Sequence, residues 1–296
     1  MMLSVRNGFI RSMTRCLGRN YASTVSETEK YVDSCQKDGV RRITLCHMAT
    51  RNSLSLEMMK ILLWNLTRDV ESENLRSIVI SAAPGKVFSA GHNLKELTSA
   101  AGRDHHKEVF ETAAALMLTI ATVPVPVIAA VDGLAAAAGC QLVSACDIVV
   151  CTERSSFSTP GANFGIFCST PGIPLVRNVP RKVAAHMLFT GLPISAREAH
   201  NAGLVSKVVD NDRLDAEVQK ITESINSKSR AVVRLGKNFL YEQLELDTST
   251  AYTYGTEIMV GNLELRDGQE GIKSFMEKRK PQWTHKFNRE NEGPSD

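Results

Sequence analysis

The sequence predicts an α/β domain of repeated strand–helix units followed by a purely helical C-terminal extension. Three observations predict it. Short apolar runs alternate with helical periods from Gly39 to Val209, glycine and proline break the chain between them, and strand-like runs vanish after about Asn211. At 296 residues and 43% hydrophobic composition, the chain can bury one substantial core with a small appendage.

The elements follow in order. Gly39 to Cys46 reads as a strand, and Leu54 to Val70 as a helix whose Met58, Ile61, Leu62 and Leu66 keep helical spacing. Leu75 to Ala82 is a second strand, after which Pro84, Gly85 and Gly91 mark a loop. Asp104 to Ala121 is helical, Pro126 to Val131 a short buried strand, Ala136 to Ala145 a helix and Asp147 to Thr152 a strand. Beyond residue 211 the pattern predicts helices near 212–227, 229–246, 248–263 and 267–279. Their Tyr252, Tyr254, Phe275 and Trp283 are candidates for packing on the core or on a neighbouring subunit.

The ends differ from the middle. Residues 1–21 carry Arg6, Arg11, Arg15 and Arg19 and no acid, the first carboxylate being Glu27. That suits a mitochondrial transit peptide cleaved before Ala22, with a disordered basic tail as the alternative. Its removal takes four positive charges from a formal +3 and leaves −1, so nothing favours a nucleic-acid partner. The longest apolar stretch is broken by Pro126, Asp132 and Gly133, which argues against a membrane span. Seven cysteines, at 16, 35, 46, 140, 146, 151 and 168, lack the paired short spacings of a zinc site and read as reduced thiols; no metal site is expected. His105 and His106 sit among charged residues and read as solvated surface, and the Gly-x-Ser-x-Gly elbow of serine hydrolases is absent.

Three segments carry chemistry: FSAGHNLKEL at 88–97, VDGLAAAAGCQL at 131–142 and FSTPGANFGIF at 157–167. Each sets small residues at a turn beside a helix start. Amides at a helix N-terminus have no partner within the helix and sit at the positive end of its dipole. Small side chains let a ligand oxygen reach them, and a second amide from the SAGHN loop would complete a two-donor oxyanion hole. The same glycines and alanines also serve close packing of helix on sheet.

These segments, in this order, resemble the enoyl-CoA hydratase (crotonase) family. GLPISAREAHNAGLVSKVV at 191–209 and RDGQEGIKSFMEKRKPQW at 266–283 resemble its later segments, so the likeness covers roughly residues 38–283. It implies a crotonase (ClpP-like) spiral of β-β-α units over 22–210 and a helical trimerisation region over 211–283, with 284–296 a disordered tail. It also implies a homotrimer or dimer of trimers that binds an acyl-CoA thioester, coenzyme A being part of the substrate and no other cofactor being needed. Carried over by motif, His92 and Ala138 supply the oxyanion-hole amides, and Leu94 and Lys95 meet the adenine and phosphate end of coenzyme A. Lys95 reads equally as a solvated charge. Cys168 and Ser169 border the acyl pocket, Cys168 having no basic partner in sequence to activate it.

The departures bear on activity. Hydratases of the family carry a glutamate where this chain has Gln141, and a second where it has Gly161. Hydration needs an acid and a base, which an amide cannot be near neutral pH. His92 is the titratable candidate to replace them, although its position serves through the backbone. The expectation is a mitochondrial matrix acyl-CoA-binding protein of fatty-acid metabolism with weak or no ordinary hydratase activity. The alternatives are a different thioester reaction (hydrolase, decarboxylase or isomerase) and a non-catalytic assembly partner. Restoring both glutamates is expected to raise hydration if the rest of the site is intact.

Overall fold

The computed structural model describes residues 30–289, so the expected transit peptide at 1–21 and the last seven residues lie outside the described residues. The chain opens with a hairpin, β1 (Val32–Lys37) antiparallel to β2 (Val40–Leu45), turned by Asp38 and Gly39 with φ of 50° and 80°. Positive φ at both central residues is the two-residue hairpin turn whose twist matches that of the strands. Strand β1 has no counterpart in the sequence reading because its outer positions are polar.

Three repeats of one plan follow. A strand enters a large parallel sheet, a very short strand enters a second sheet, and a helix packs back. The first is β3 (Ser77–Ala82), β4 (Val87–Ser89) and α2 (Gly102–Thr122), preceded by α1 (Leu56–Thr67), which Ser55 caps by accepting the Met58 amide. The second is β5 (Val127–Val131), β6 (Leu134–Ala136) and α3 (Ala138–Ala145). The third is β7 (Ile148–Thr152), β8 (Ser156–Ser158) and α4 (Ser169–Asn178). After α5 (Arg181–Thr190), β9 (Ile194–Ser195), α6 (Ala196–Asn201) and β10 (Lys207–Val209) complete the sheets. The large sheet runs β1-β2-β3-β5-β7-β10 and the small one β4-β6-β8-β9. This is the spiral of β-β-α turns, with its strands parallel except at the two edges β1 and β9.

Side-chain alternation explains the layers. Ile78 and Ile80 of β3, Val127, Ala129 and Val131 of β5, and Val149 and Cys151 of β7 face the main core with α1 and α2. Their neighbours Val79, Ile128, Ala130 and Val150 face the other way onto Val218 of α7 (Leu214–Asn226). Strands buried on both faces read as continuous apolar runs, which is why they are visible in sequence.

The extension continues with α8 (Arg230–Gln243), α9 (Thr248–Glu264) and α10 (Arg266–Met276). Residues 284–289, expected to belong to a disordered tail, are described and held against the extension. Buried Asp267 accepts the amides of Thr284 and His285 at 2.7 and 2.9 Å and the hydroxyls of Thr284 and Ser229, and Leu265 bridges to Arg289. Burial alone would raise the Asp267 carboxyl, but these four donors hold it below the ordinary range. Among the described residues, no helix is long and apolar enough to cross a membrane.

Candidate functional site: an oxyanion-type cavity

The site forms where the end of β4 meets the start of α3. The Leu54 amide donates to the Gly91 carbonyl at 2.7 Å in a parallel bridge centred on His92. In such a bridge the flanking residues bond across, so the His92 amide lies on the opposite edge. Gly91, at φ 89°, has no room for a side chain: a Cβ there would fall 2.8 Å from the Ala137 Cβ and 3.1 Å from the Ala138 amide nitrogen. Gly139 shows the same closeness from the other loop, since its Cβ would lie 2.6 Å from the Ser89 carbonyl oxygen. The small residues of both motifs therefore hold the two loops in contact.

Ala137 closes the corner. Its amide donates to Ser158 at 2.9 Å, and its φ of 48° and ψ of −116° are values that glycine adopts freely and alanine does not. This places Ala138 at the first position of α3, where an amide has no intrahelical acceptor. Among the described residues, neither the His92 nor the Ala138 amide donates to a backbone carbonyl.

Beside these amides is a cavity of about 340 Å³. His92, Ala137 and Ala138 form one wall, and Gly161, Cys168 and Ser169 form the other. Leu97, Phe110, Phe164, Ile166 and Phe167 also line it, and among the described residues no charged side chain does. Phe164 and Phe167 are at least half exposed, and Phe167 meets Phe189 at 6.1 Å, so the rim is apolar too.

The expected site residues divide. His92, Ala138, Leu94, Gly161, Cys168 and Ser169 all line this one cavity. Lys95 does not: it is exposed on a 3-10 turn, with its amide on Asn93 Oδ1 at 3.2 Å. Gln141 lies one helical turn beyond Ala138, behind the wall, 3% exposed and with Oε1 unpartnered. At Gly161, a Cβ would come 2.1 Å from the Ile166 carbonyl oxygen and 2.7 Å from Cys168 Sγ. The expectation that restoring both glutamates raises hydration is conditional on an intact site, and here the loop closes over the space that a side chain at 161 would use.

The two titratable side chains on the wall differ. His92 Nδ1 stands 3.3 Å from the Leu54 carbonyl, Nε2 is buried without a partner, and the ring meets Phe110 edge-on at 5.3 Å. Burial lowers its pKa against the pull of that carbonyl, which favours the neutral imidazole on this wall. Cys168 Sγ accepts the Gly161 amide at 3.3 Å, and burial pushes the thiol up while that amide opposes it. His106 hydrogen-bonds the Thr98 carbonyl at the surface. Asp132, at the corner of the second motif, is taken by Arg154 and Thr152, whose hydrogen bonds hold it below the ordinary carboxylate range. Sequence reasoning missed the rings of Phe110, Phe164 and Phe167 and the strained Ala137, for which an alanine run carries no signal.

Comparison with known proteins agrees with this geometry. The family model described as enoyl-CoA hydratase/isomerase matches residues 35–286. Enoyl-CoA hydratase domain-containing protein 3, mitochondrial, of Mus musculus is 55% identical over 261 residues, 88% of this chain and 87% of that protein. The Homo sapiens protein of the same name is 56% identical over 250 residues, 84% of this chain and 82% of that one. The crystal structure of human enoyl coenzyme A hydratase domain-containing protein 3 superposes with a TM-score of 0.84 at 55% identity, covering 85% of this chain and 99% of that one. A Mycobacterium smegmatis enoyl-CoA hydratase structure gives 0.82 at 40% identity, covering 85% and 98%. The repeated β-β-α turns, the paired loops and these likenesses agree: the chain belongs to the enoyl-CoA hydratase/isomerase family.

Proposed function

We propose that this chain is a mitochondrial matrix protein of fatty-acid metabolism that binds an acyl-CoA thioester and has weak or no ordinary hydratase activity. The observation that carries this is the pair of unclaimed amides, His92 and Ala138, beside an apolar cavity. Two such donors hold a thioester carbonyl oxygen and stabilise the negative charge of its enolate, each being worth about 10² to 10³ in rate. The apolar lining suits an uncharged acyl group. A carboxylated one would be buried without a cation, at a cost of several kcal/mol, which counts against a decarboxylase. Leu94 at the rim and neighbouring Lys95 would meet the coenzyme A end.

Hydration is disfavoured because among the described residues no carboxylate stands on the wall, and each positioned acid or base contributes about 10² to 10⁴. The mitochondrial assignment rests on the names of the relatives and on the arginine-rich, acid-free first 21 residues. Assembly as a trimer or dimer of trimers is supported by α9, which buries none of its residues within one chain. That uncovered extension also favours a second reading, a non-catalytic partner in a mixed assembly.

The test pairs binding with turnover. Acyl-CoA esters at about a hundredfold over Kd should stabilise the fold by about 2.7 kcal/mol in thermal melts. Crotonyl-CoA should be hydrated at least about 10²-fold more slowly than by a hydratase bearing both glutamates. Absence of any thermal shift sinks the binding reading, and hydration at ordinary family rates sinks the inactivity.

A further inference from the structure

A side chain at position 161 and the rim of the cavity compete for one place. The Ile166 amide donates to the Gly161 carbonyl at 3.0 Å, and a Cβ on residue 161 would lie 2.1 Å from the Ile166 carbonyl oxygen, so glycine there lets the segment fold back. Gly165, at φ 73°, turns the loop. Its amide donates to the Ala162 carbonyl at 3.2 Å, and the Ser169 amide donates to the Phe167 carbonyl at 2.8 Å. Held in this way, Phe164, Ile166 and Phe167 bring three large apolar side chains to the cavity from one short segment. We propose, building on the acyl-CoA reading, that this folded-back loop makes the site selective for uncharged acyl chains of about eight carbons or more over short ones, with Phe164 and Phe167 setting the preference.

The course of the chain follows from where the polar groups stand. The free amides of His92 and Ala138 fix the thioester carbonyl at one wall. Beyond them the acyl group meets Leu97 and Phe110, whose ring touches that of His92 edge-on at 5.3 Å, and then the three side chains of the loop. Among the described residues no charged side chain lines this path.

Volume sets the length. An acetyl group would leave most of the 340 Å³ to water held against apolar side chains. At roughly 30 Å³ per chain atom, the liquid share of a water molecule, the cavity takes on the order of ten atoms. An octanoyl thioester supplies that many with its carbons, oxygen and sulfur. Each methylene buried there lowers Kd close to fourfold, which is about 0.8 kcal/mol. Phe164, Ile166 and Phe167 are 65%, 47% and 50% exposed, so the far end stays open. A longer chain passes out over Phe167 and Phe189, whose rings lie 6.1 Å apart, and gains less per methylene than it does inside.

The experiment titrates the full chain by calorimetry with acetyl-, butanoyl-, hexanoyl-, octanoyl- and decanoyl-CoA. It repeats the series with Phe164→Ser and Phe167→Ser, both at rim positions that leave the core untouched. Expected are one ester bound per chain and a Kd that falls about two- to fourfold per methylene up to octanoyl and more slowly beyond it. Each variant should cut the preference for octanoyl over butanoyl by about fivefold. Equal Kd values for acetyl and octanoyl esters overturn the chain-length class while acyl-CoA binding stands, and a rim covered by a second copy of this chain gives that result. A preference undiminished in both variants removes the rim as its source. Binding of no ester overturns the acyl-CoA reading together with this one. The series in the unaltered chain decides the class whatever the stability of the variants.

Discussion

At the scale of single residues, the site is held by backbone that its own side chains barely tolerate. Ala137 sits at φ 48°, where its Cβ costs roughly 1–2 kcal/mol that glycine would not incur. Glycine would loosen the unfolded chain by about 0.5–1 kcal/mol, so Ala137→Gly is expected to leave stability unchanged or raise it by up to about 1.5 kcal/mol. An unstrained alanine would instead lose about 1 kcal/mol, and urea unfolding separates the two. Gly161 is the reverse case. A glutamate there must displace the Ile166 carbonyl or the Cys168 sulfur, so Gly161→Glu combined with Gln141→Glu should cost about 1–3 kcal/mol from overpacking. It should leave crotonyl-CoA hydration no faster than in the parent, as a steady-state assay will show. The identity of position 161 was legible in sequence; the closed space around it was not, since that depends on Ile166 and Cys168 folding back across five and seven residues.

At the scale of elements, the helices and inner strands were legible because each carries enough residues to display a period. The five buried residues of β5 and the Val109, Ala113, Leu116 and Ile120 stripe of α2 are of this kind. Strands β4, β6, β8 and β9 have two or three residues each, too few for any alternation to register, and Ala136 was drawn into a helix because alanine favours one. Those same short strands aim the two loops at the cavity. The joint between core and extension was equally hidden. Lys237 of α8 reaches the Ile120 and Val125 carbonyls at 2.8 and 2.9 Å and Asp147 at 2.7 Å, while Asp147 also accepts the Val127 amide and the Tyr241 hydroxyl, both at 2.6 Å. Burial lowers the Lys237 ammonium and Asp147 pulls it back. Removing one side of a buried pair strands the other, so Lys237→Met should destabilise by about 3–5 kcal/mol. Tyr241→Phe, which removes one hydrogen bond to a charged oxygen, should cost about 1.5–3 kcal/mol. Denaturant melts that rank the two the other way would show that the hydroxyl, rather than the ammonium, fastens α8.

At the scale of the molecule, the extension leaves apolar side chains uncovered within one chain. Helix α9 has 17 residues and none of them fully buried, its hold on α8 including Tyr254, which packs on Phe239 at 5.6 Å and donates to Glu242. Tyr252, Met259, Val260 and Leu263 on α9, and Ile272, Phe275 and Met276 on α10, are all exposed, Phe275 at 85%. Contiguous apolar faces of this kind mark association surfaces. The aromatic content of the region was visible in sequence, but whether it packs on the core or on a neighbour was not, because the choice depends on where α8 delivers the following helices. With the core side of the extension already taken by Lys237, Tyr241 and Asp267, these faces are the ones the proposed assembly would cover. The proposed trimer or dimer of trimers gives, by light scattering, a mass in multiples of three of the 32.5 kDa chain. The melting temperature should rise with protein concentration, since subunits that bind the native state stabilise it by mass action. Replacing Met259 and Phe275 together by aspartate should shift the mass toward the single chain and abolish that dependence. An unaltered protein that runs as a monomer at micromolar concentration, with a melting temperature independent of concentration, would leave α9 unexplained and overturn the assembly.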